Sequence, residues 1–195
     1  MADRLSFDAI FQKSIKREGA TELLEWLHST DFFDAPASTR FHESYSGGLQ
    51  EHSVNVYYEL VPLANAFGIS INRETAAIIS LLHDVCKIGM YKVEMRNKKI
   101  DGVWQQVPAY TIDEDFCFGG HGSKSVYLIQ KHMQLTPEEA VAINCHMGVE
   151  NGNWVVNDAF RAYPLAFLLH TADMASTIPA LLPIVPTHKN EEDYK

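Results

Sequence analysis

Asn72-Arg73-Glu74-Thr75-Ala76-Ala77-Ile78-Ile79-Ser80-Leu81-Leu82-His83-Asp84-Val85-Cys86-Lys87-Ile88-Gly89 is the stretch that decides the fold. Asn72 suits a helix N-cap, and the run from Ala76 to Leu82 is apolar nearly all round, as in a helix buried on every side. That helix delivers His83 and Asp84 to the interior. A buried carboxylate without a partner costs several kcal/mol, and metal coordination removes the penalty. A central helix ending in a histidine and an aspartate therefore calls for a cation beside it.

Working outward, Ser44-Tyr45-Ser46-Gly47-Gly48 reads as a turn, followed by a long helix with Leu49, Val54, Val56, Leu60, Val61 and Leu63 that ends near Gly68. His52 falls at its start. Two short amphipathic helices precede it, around Leu5, Ile10 and Phe11, and around Leu23, Leu24 and Leu27. Downstream, an Asp101-Gly102 turn between Lys99-Ile100 and Val103-Trp104-Gln105 predicts an inserted β-hairpin. Gly119-Gly120-His121-Gly122 breaks the chain before a helix through Val126, Leu128 and Ile129. Thr136-Pro137-Glu138-Glu139 has the form of a capping box, opening a helix that runs into Cys145-His146. A last helix, Pro164 to about Ser176, places His170 and Asp173 one turn apart. The fold class is mostly α: a compact helical bundle with a small β-hairpin inserted.

At 195 residues the chain suits one domain, with packing helices over 1–40, a core over 42–176 and a loosely ordered tail over 178–195. Three cysteines without a CxxC pair argue against a disulfide framework and for a reduced, cytoplasmic protein. No stretch is apolar for long enough to span a membrane. The net charge of −9 argues against wrapping long nucleic acid. Between positions 87 and 99, however, Lys87, Lys92, Arg96, Lys98 and Lys99 face only Glu94, a local basic patch suited to phosphate. Nothing in the sequence fixes an oligomeric state.

The chemistry-bearing residues sit where apolar helices end or face inward: His52, His83, Asp84, His121, His146 and Asp173. Four imidazoles and two carboxylates suit one or two divalent transition ions (Mn, Fe, Co, Ni or Zn), with Asp84 as a candidate bridge. Lys87, three residues after Asp84 and so on the same helical face, can stabilise negative charge on a phosphoryl oxygen. His170 reads first as a packed imidazole supporting the site, and otherwise as a proton shuttle or a residue orienting a ligand. Arg96, Lys98 and Lys124 are candidate phosphate contacts, and Trp104 and Tyr110 candidate stacking surfaces.

The order His52, then His83-Asp84 with Lys87 three residues on, then Asp173 in a late helix, resembles the HD-domain superfamily of metal-dependent phosphohydrolases, from about His42 to Ser176. Gly47-Gly48-Leu49-Gln50-Glu51-His52 and Gly120-His121-Gly122 are similar to the HD domain of bacterial 3′-to-5′ exoribonucleases, whose OB domain has no counterpart here. Arg96-Asn97-Lys98, Trp104, Pro108, Tyr110, Gly120 to Ser125 and His146-Met147-Gly148 resemble a group of stand-alone bacterial HD proteins. The resemblance implies His52, His83, Asp84 and Asp173 around a primary metal and His121 and His146 on a second. It also implies hydrolysis, by metal-activated water, of a phosphate ester or anhydride in a nucleotide-like small molecule or a short oligonucleotide end. Two other readings are a di-iron HD oxygenase and a non-catalytic nucleotide-binding or regulatory module.

Overall fold

The computed structural model describes residues 4–113, 119–149 and 155–178. The elements in order are α1 (Phe7–Ser14), α2 (Ala20–His28), α3 (Gly48–Phe67), α4 (Arg73–Leu82), a 3-10 turn (Val85–Lys87), β1 (Tyr91–Ile100), β2 (Val103–Ile112), α5 (His121–Gln130), α6 (Pro137–Cys145), α7 (Val155–Ala162) and α8 (Pro164–Ser176). The chain is mostly α, and the described residues hold one two-stranded antiparallel sheet, as the sequence predicts. None of the described helices is long and apolar enough to cross a membrane.

Helix α4 is central for the reason its composition gives: Thr75 through Leu82 are all buried. The Asn72 side chain caps it by accepting from the Thr75 N–H at 2.8 Å. Helices α3, α6 and α8 pack around it and on one another. Leu49, Leu60, Ile78, Ile79, Leu81, Leu168, Leu169 and Ala172 are fully buried at their junction. Phe7 and Phe11 of α1 join Phe32 to close one end of this core. Gly122 lets α5 approach α6 closely, because a Cβ there would lie 2.4 Å from the Asn144 carbonyl oxygen.

A buried polar tie at Arg17 helps fasten the N-terminal helices to the bundle. The Thr136 capping box of α6 forms as its sequence predicts, and Glu139, fully buried, receives Arg17 at 2.7 and 2.9 Å and the Thr75 hydroxyl at 2.8 Å. Burial works to raise the Glu139 pKa, but Arg17, the Thr136 N–H and Thr75 outweigh it and hold the carboxyl below its ordinary value. Arg17→Ala leaves this carboxylate buried without its cation. Breaking buried pairs costs about 3–5 kcal/mol; since Glu139 keeps two donors, we expect about 2–3 kcal/mol in urea unfolding. A folded-state pKa below the unfolded one gives stability that is present above the ordinary carboxyl value and lost as pH falls through the folded value. The difference between wild type and Arg17→Ala should therefore shrink as pH drops below about 4.

The hairpin forms with Asp101-Gly102 at its turn, both with positive φ, and Tyr91 opposite Ile112 at its base. Helix α7 is absent from the sequence reading. It shows only a short helical spacing, Val155, Val156, Ala159 and Phe160, with Val156 alone buried. The tail from residue 179, with His188, lies outside the described residues, as does Cys117.

Candidate metal centre

Helix α4 ends at Leu82, so His83 is its C-cap and Asp84 the residue that turns the chain into the 3-10 turn. Here His83 and Asp84 meet His52 from α3, His146 at the C-cap of α6 and Asp173 from α8. His52, His83 and His146 are fully buried, and the Asp84 side chain is nearly so. His52 Nε2 lies 3.1 Å from Asp173 Oδ1 and 3.8 Å from Asp84 Oδ2. His83 Nε2 is 3.3 Å from Asp84 Oδ2, and His146 Nε2 is 3.5 Å from Asp84 Oδ1.

The outer ring nitrogens fix which way the inner ones face. His83 Nδ1 lies 2.8 Å from the Ser80 carbonyl oxygen, and His146 Nδ1 2.7 Å from that of Ile143. A carbonyl only accepts, so both Nδ1 atoms carry hydrogen and both Nε2 atoms present lone pairs inward. His52 Nδ1 lies 3.3 Å from Ser176 Oγ, whose own hydrogen goes to the Asp173 carbonyl, so His52 also donates outward. The result is two bare nitrogens, His52 Nε2 and His83 Nε2, 3.3 Å apart. His146 Nε2 is buried with no hydrogen-bond partner. Three lone pairs and two carboxylates facing one space require positive charge there. A shared proton serves one pair at a time, whereas a divalent cation serves all five donors, and outward-held imidazoles are the usual arrangement around one. The donor set fits a divalent metal. Dialysis against a chelator should lower the melting temperature and metal return should restore it, by about 2.7 kcal/mol at a free concentration a hundred times Kd. Calorimetry unmoved by chelator would contradict this fit.

The other candidates separate. Lys87 is not on the α4 face its spacing implies, because the helix has already ended. It is buried, with Nζ 2.6 Å from Asp84 Oδ2 and donating to the Ala37 carbonyl at 2.7 Å. Burial works to raise the Asp84 pKa, but the Lys87 ammonium holds it well below the carboxylate range. His121, at the start of α5, lies one layer out from the five inward donors: its Nδ1 is 3.5 Å from Cys86 Sγ, which stands 4.0 Å from Asp84 Oδ1. Cys145 is buried in the hydrophobic core. His170 Nδ1–H donates to the His146 carbonyl at 2.6 Å, and its ring stacks on Phe160, so it fixes the loop that carries His146. Gly148 serves the same contact, since a Cβ there would lie 2.8 Å from the His170 ring. Lys124 is buried on α5. Arg96 and Trp104 are exposed on the hairpin, whereas Lys98 and Tyr110 line a cleft beside it.

Two neighbours escaped the sequence reading. The His42 ring lies 4.9 Å from that of His52, and burial above all, with the Lys87 ammonium nearby, lowers its pKa to about 4. Its Nε2 and Glu43 Oε2 are both buried without hydrogen-bond partners. They sit on the strap of residues 35–47, which has no periodicity to mark it. The remaining histidines pack elsewhere: His28 pairs with Asp8 and stacks on Phe33, and His132 stacks on Trp26.

Comparison with known proteins places these observations. Residues 49–181 match the HD domain family. Over 84 residues the chain is 31% identical to the dihydroneopterin 2′,3′-cyclic phosphate phosphodiesterase of Methanocaldococcus jannaschii, an alignment covering 41% of this chain and 32% of that protein. The chain thus aligns with about a third of the length of this curated relative. No solved structure matches it. The family match spans α3 through α8 and contains all five inward-facing donors. The chain belongs to the HD domain family.

Proposed function

We propose that the protein is a metal-dependent phosphohydrolase acting on a phosphate ester of a nucleotide-like small molecule. The observation that carries the reading is the set of five inward donors, His52, His83, Asp84, His146 and Asp173, with a buried ammonium, Lys87, held against one of them. These five would hold the cation, which when bound supplies Lewis acidity at the phosphoryl group and acidifies water. In hydrolysis water adds to phosphorus, the bond from phosphorus to the ester oxygen breaks, and the departing oxygen takes up a proton. Lys87 uses one ammonium proton on Asp84 and another on the Ala37 carbonyl, which leaves a third for a phosphoryl oxygen. Its charge is fixed in place before substrate arrives, the condition under which electrostatic stabilisation costs least reorganisation. His170 holds the His146 loop by a backbone hydrogen bond rather than by contact with the reacting atoms. His42, kept neutral by burial, shields His52 from water.

The relative's cyclic phosphodiesterase activity and the local cation favour hydrolysis over oxygen activation. The test is a screen of bis-p-nitrophenyl phosphate, 2′,3′-cyclic nucleotides, nucleoside monophosphates and short oligonucleotides with Mn, Fe, Co, Ni or Zn added. Metal-dependent release of alcohol or phosphate from at least one class is the expected result. Nucleotide binding without any product would favour a regulatory module instead.

A further inference from the structure

A cleft of about 540 Å³ lies between the strap and the hairpin. That volume suits a nucleotide-sized ligand, since small-molecule sites run from roughly 300 to 1,000 Å³. Its two cations, Arg40 and Lys98, come from opposite walls, and no carboxylate among the described residues lines it. The Arg40 guanidinium rests over the exposed Phe41 ring at 4.9 Å, a contact that uses none of its N–H donors. Tyr45, Val107, Pro108 and Tyr110 give the cleft flat, partly apolar surfaces. The Tyr45 hydroxyl is tied to Glu51 at 2.8 Å, which fixes that ring on the strap.

The cleft and the cation site are linked through the base of the hairpin. Tyr110 packs on Tyr91 with ring centroids 6.4 Å apart, and the Tyr91 hydroxyl donates to the Ala37 carbonyl at 3.2 Å. That carbonyl also receives Lys87, which holds Asp84. Tyr91 and Lys87 thus stand between Tyr110 at the cleft and Asp84 at the centre, and the strap that carries Arg40 also carries His42 and Glu43. The scissile phosphate has its own cations at the centre, so Arg40 and Lys98 are left to neutralise another group.

Taking the phosphohydrolase reading as its starting point, we infer that the substrate is a planar heterocycle bearing a second phosphate, with the ring against the cleft's flat walls and that phosphate between Arg40 and Lys98. Monophosphates lacking the second group lose two charge-assisted contacts, each worth about ten-fold or more in affinity.

The test is equilibrium dialysis of the full chain with adenosine or guanosine 3′,5′-bisphosphate against the matching 5′-monophosphate, ligand integrity being checked by chromatography afterwards. Wild type should bind a bisphosphate at least about ten-fold more tightly than its monophosphate. The variant Arg40→Ala/Lys98→Ala should bind the two within about two-fold of each other, with its melting temperature unchanged because both side chains are exposed. Wild type without the preference, or a variant that keeps it, overturns the inference. Dialysis reads binding and not turnover. A protein that shows this preference but hydrolyses nothing therefore refutes the phosphohydrolase reading alone, and one that hydrolyses phosphoesters without the preference refutes the cleft alone.

Discussion

Asp84→Asn should abolish phosphoester hydrolysis, lowering kcat/KM by at least about 10³-fold, and should empty the protein of tightly bound metal. Outer-sphere partners of metal ligands already cost about 10–100-fold when removed, so loss of the carboxylate shared by His83, His146 and Lys87 must cost more. The amide keeps the volume but removes the charge that balances Lys87, leaving a buried ammonium against a neutral group. Stranding one member of a buried pair costs about 3–5 kcal/mol, so denaturant unfolding should show a loss of that order. A longer acid, Asp84→Glu, keeps the charge and should recover most of the stability but little of the turnover. Activity within ten-fold of wild type in Asp84→Asn would refute the role given to this carboxylate.

Lys87→Met is the second large effect expected. Methionine replaces the stem and deletes the ammonium, leaving the Ala37 carbonyl with the Tyr91 hydroxyl as its side-chain donor. Without Lys87, burial raises the Asp84 pKa, because the cation that opposed it is gone. Metal must then compete with a proton over a wider pH range. The acid limb of the rate profile should move to higher pH, metal affinity should fall about 10–100-fold, and kcat should fall by about 10²-fold at neutral pH. Chelator competition and a pH profile separate this role from packing alone, which would change stability without moving the acid limb.

The architecture was legible where periodicity and capping agreed. The apolar run 76–82 marked α4, Asn72 its cap, Thr136 to Glu139 the start of α6, and Asp101-Gly102 the hairpin turn. The site was legible in part, because histidines and aspartates at the ends or on the inner faces of buried helices have few places to go. Four of the five inward donors lie on α3 and α8 or at the C-terminal ends of α4 and α6, where sequence spacing gives direction, and Asp84 follows directly on α4. What stayed hidden depends on tertiary approach. The distance from His121 to the cluster depends on how closely α5 meets α6 at Gly122. Lys87 turns inward because the helix stops at Leu82, two residues before Asp84, so the three-residue spacing from Asp84 to Lys87 falls in a 3-10 turn and not on a continued helix face. His42, Glu43 and Arg40 lie on a strap held over the centre by backbone bonds such as Leu49 N–H to the Ala35 carbonyl at 2.9 Å. Helix α7 was too short and too exposed for its pattern to stand out.

Five convergent donors, His52, His83, Asp84, His146 and Asp173, are proposed to hold a catalytic divalent cation. The most direct test is elemental analysis of the purified protein by inductively coupled plasma mass spectrometry, before and after chelation, paired with diesterase assays on the same samples. The expected result is at least one first-row transition ion per chain, loss of turnover on chelation, and recovery when metal is returned. A protein free of transition metal that hydrolyses bis-p-nitrophenyl phosphate at the same rate with and without chelator would contradict it.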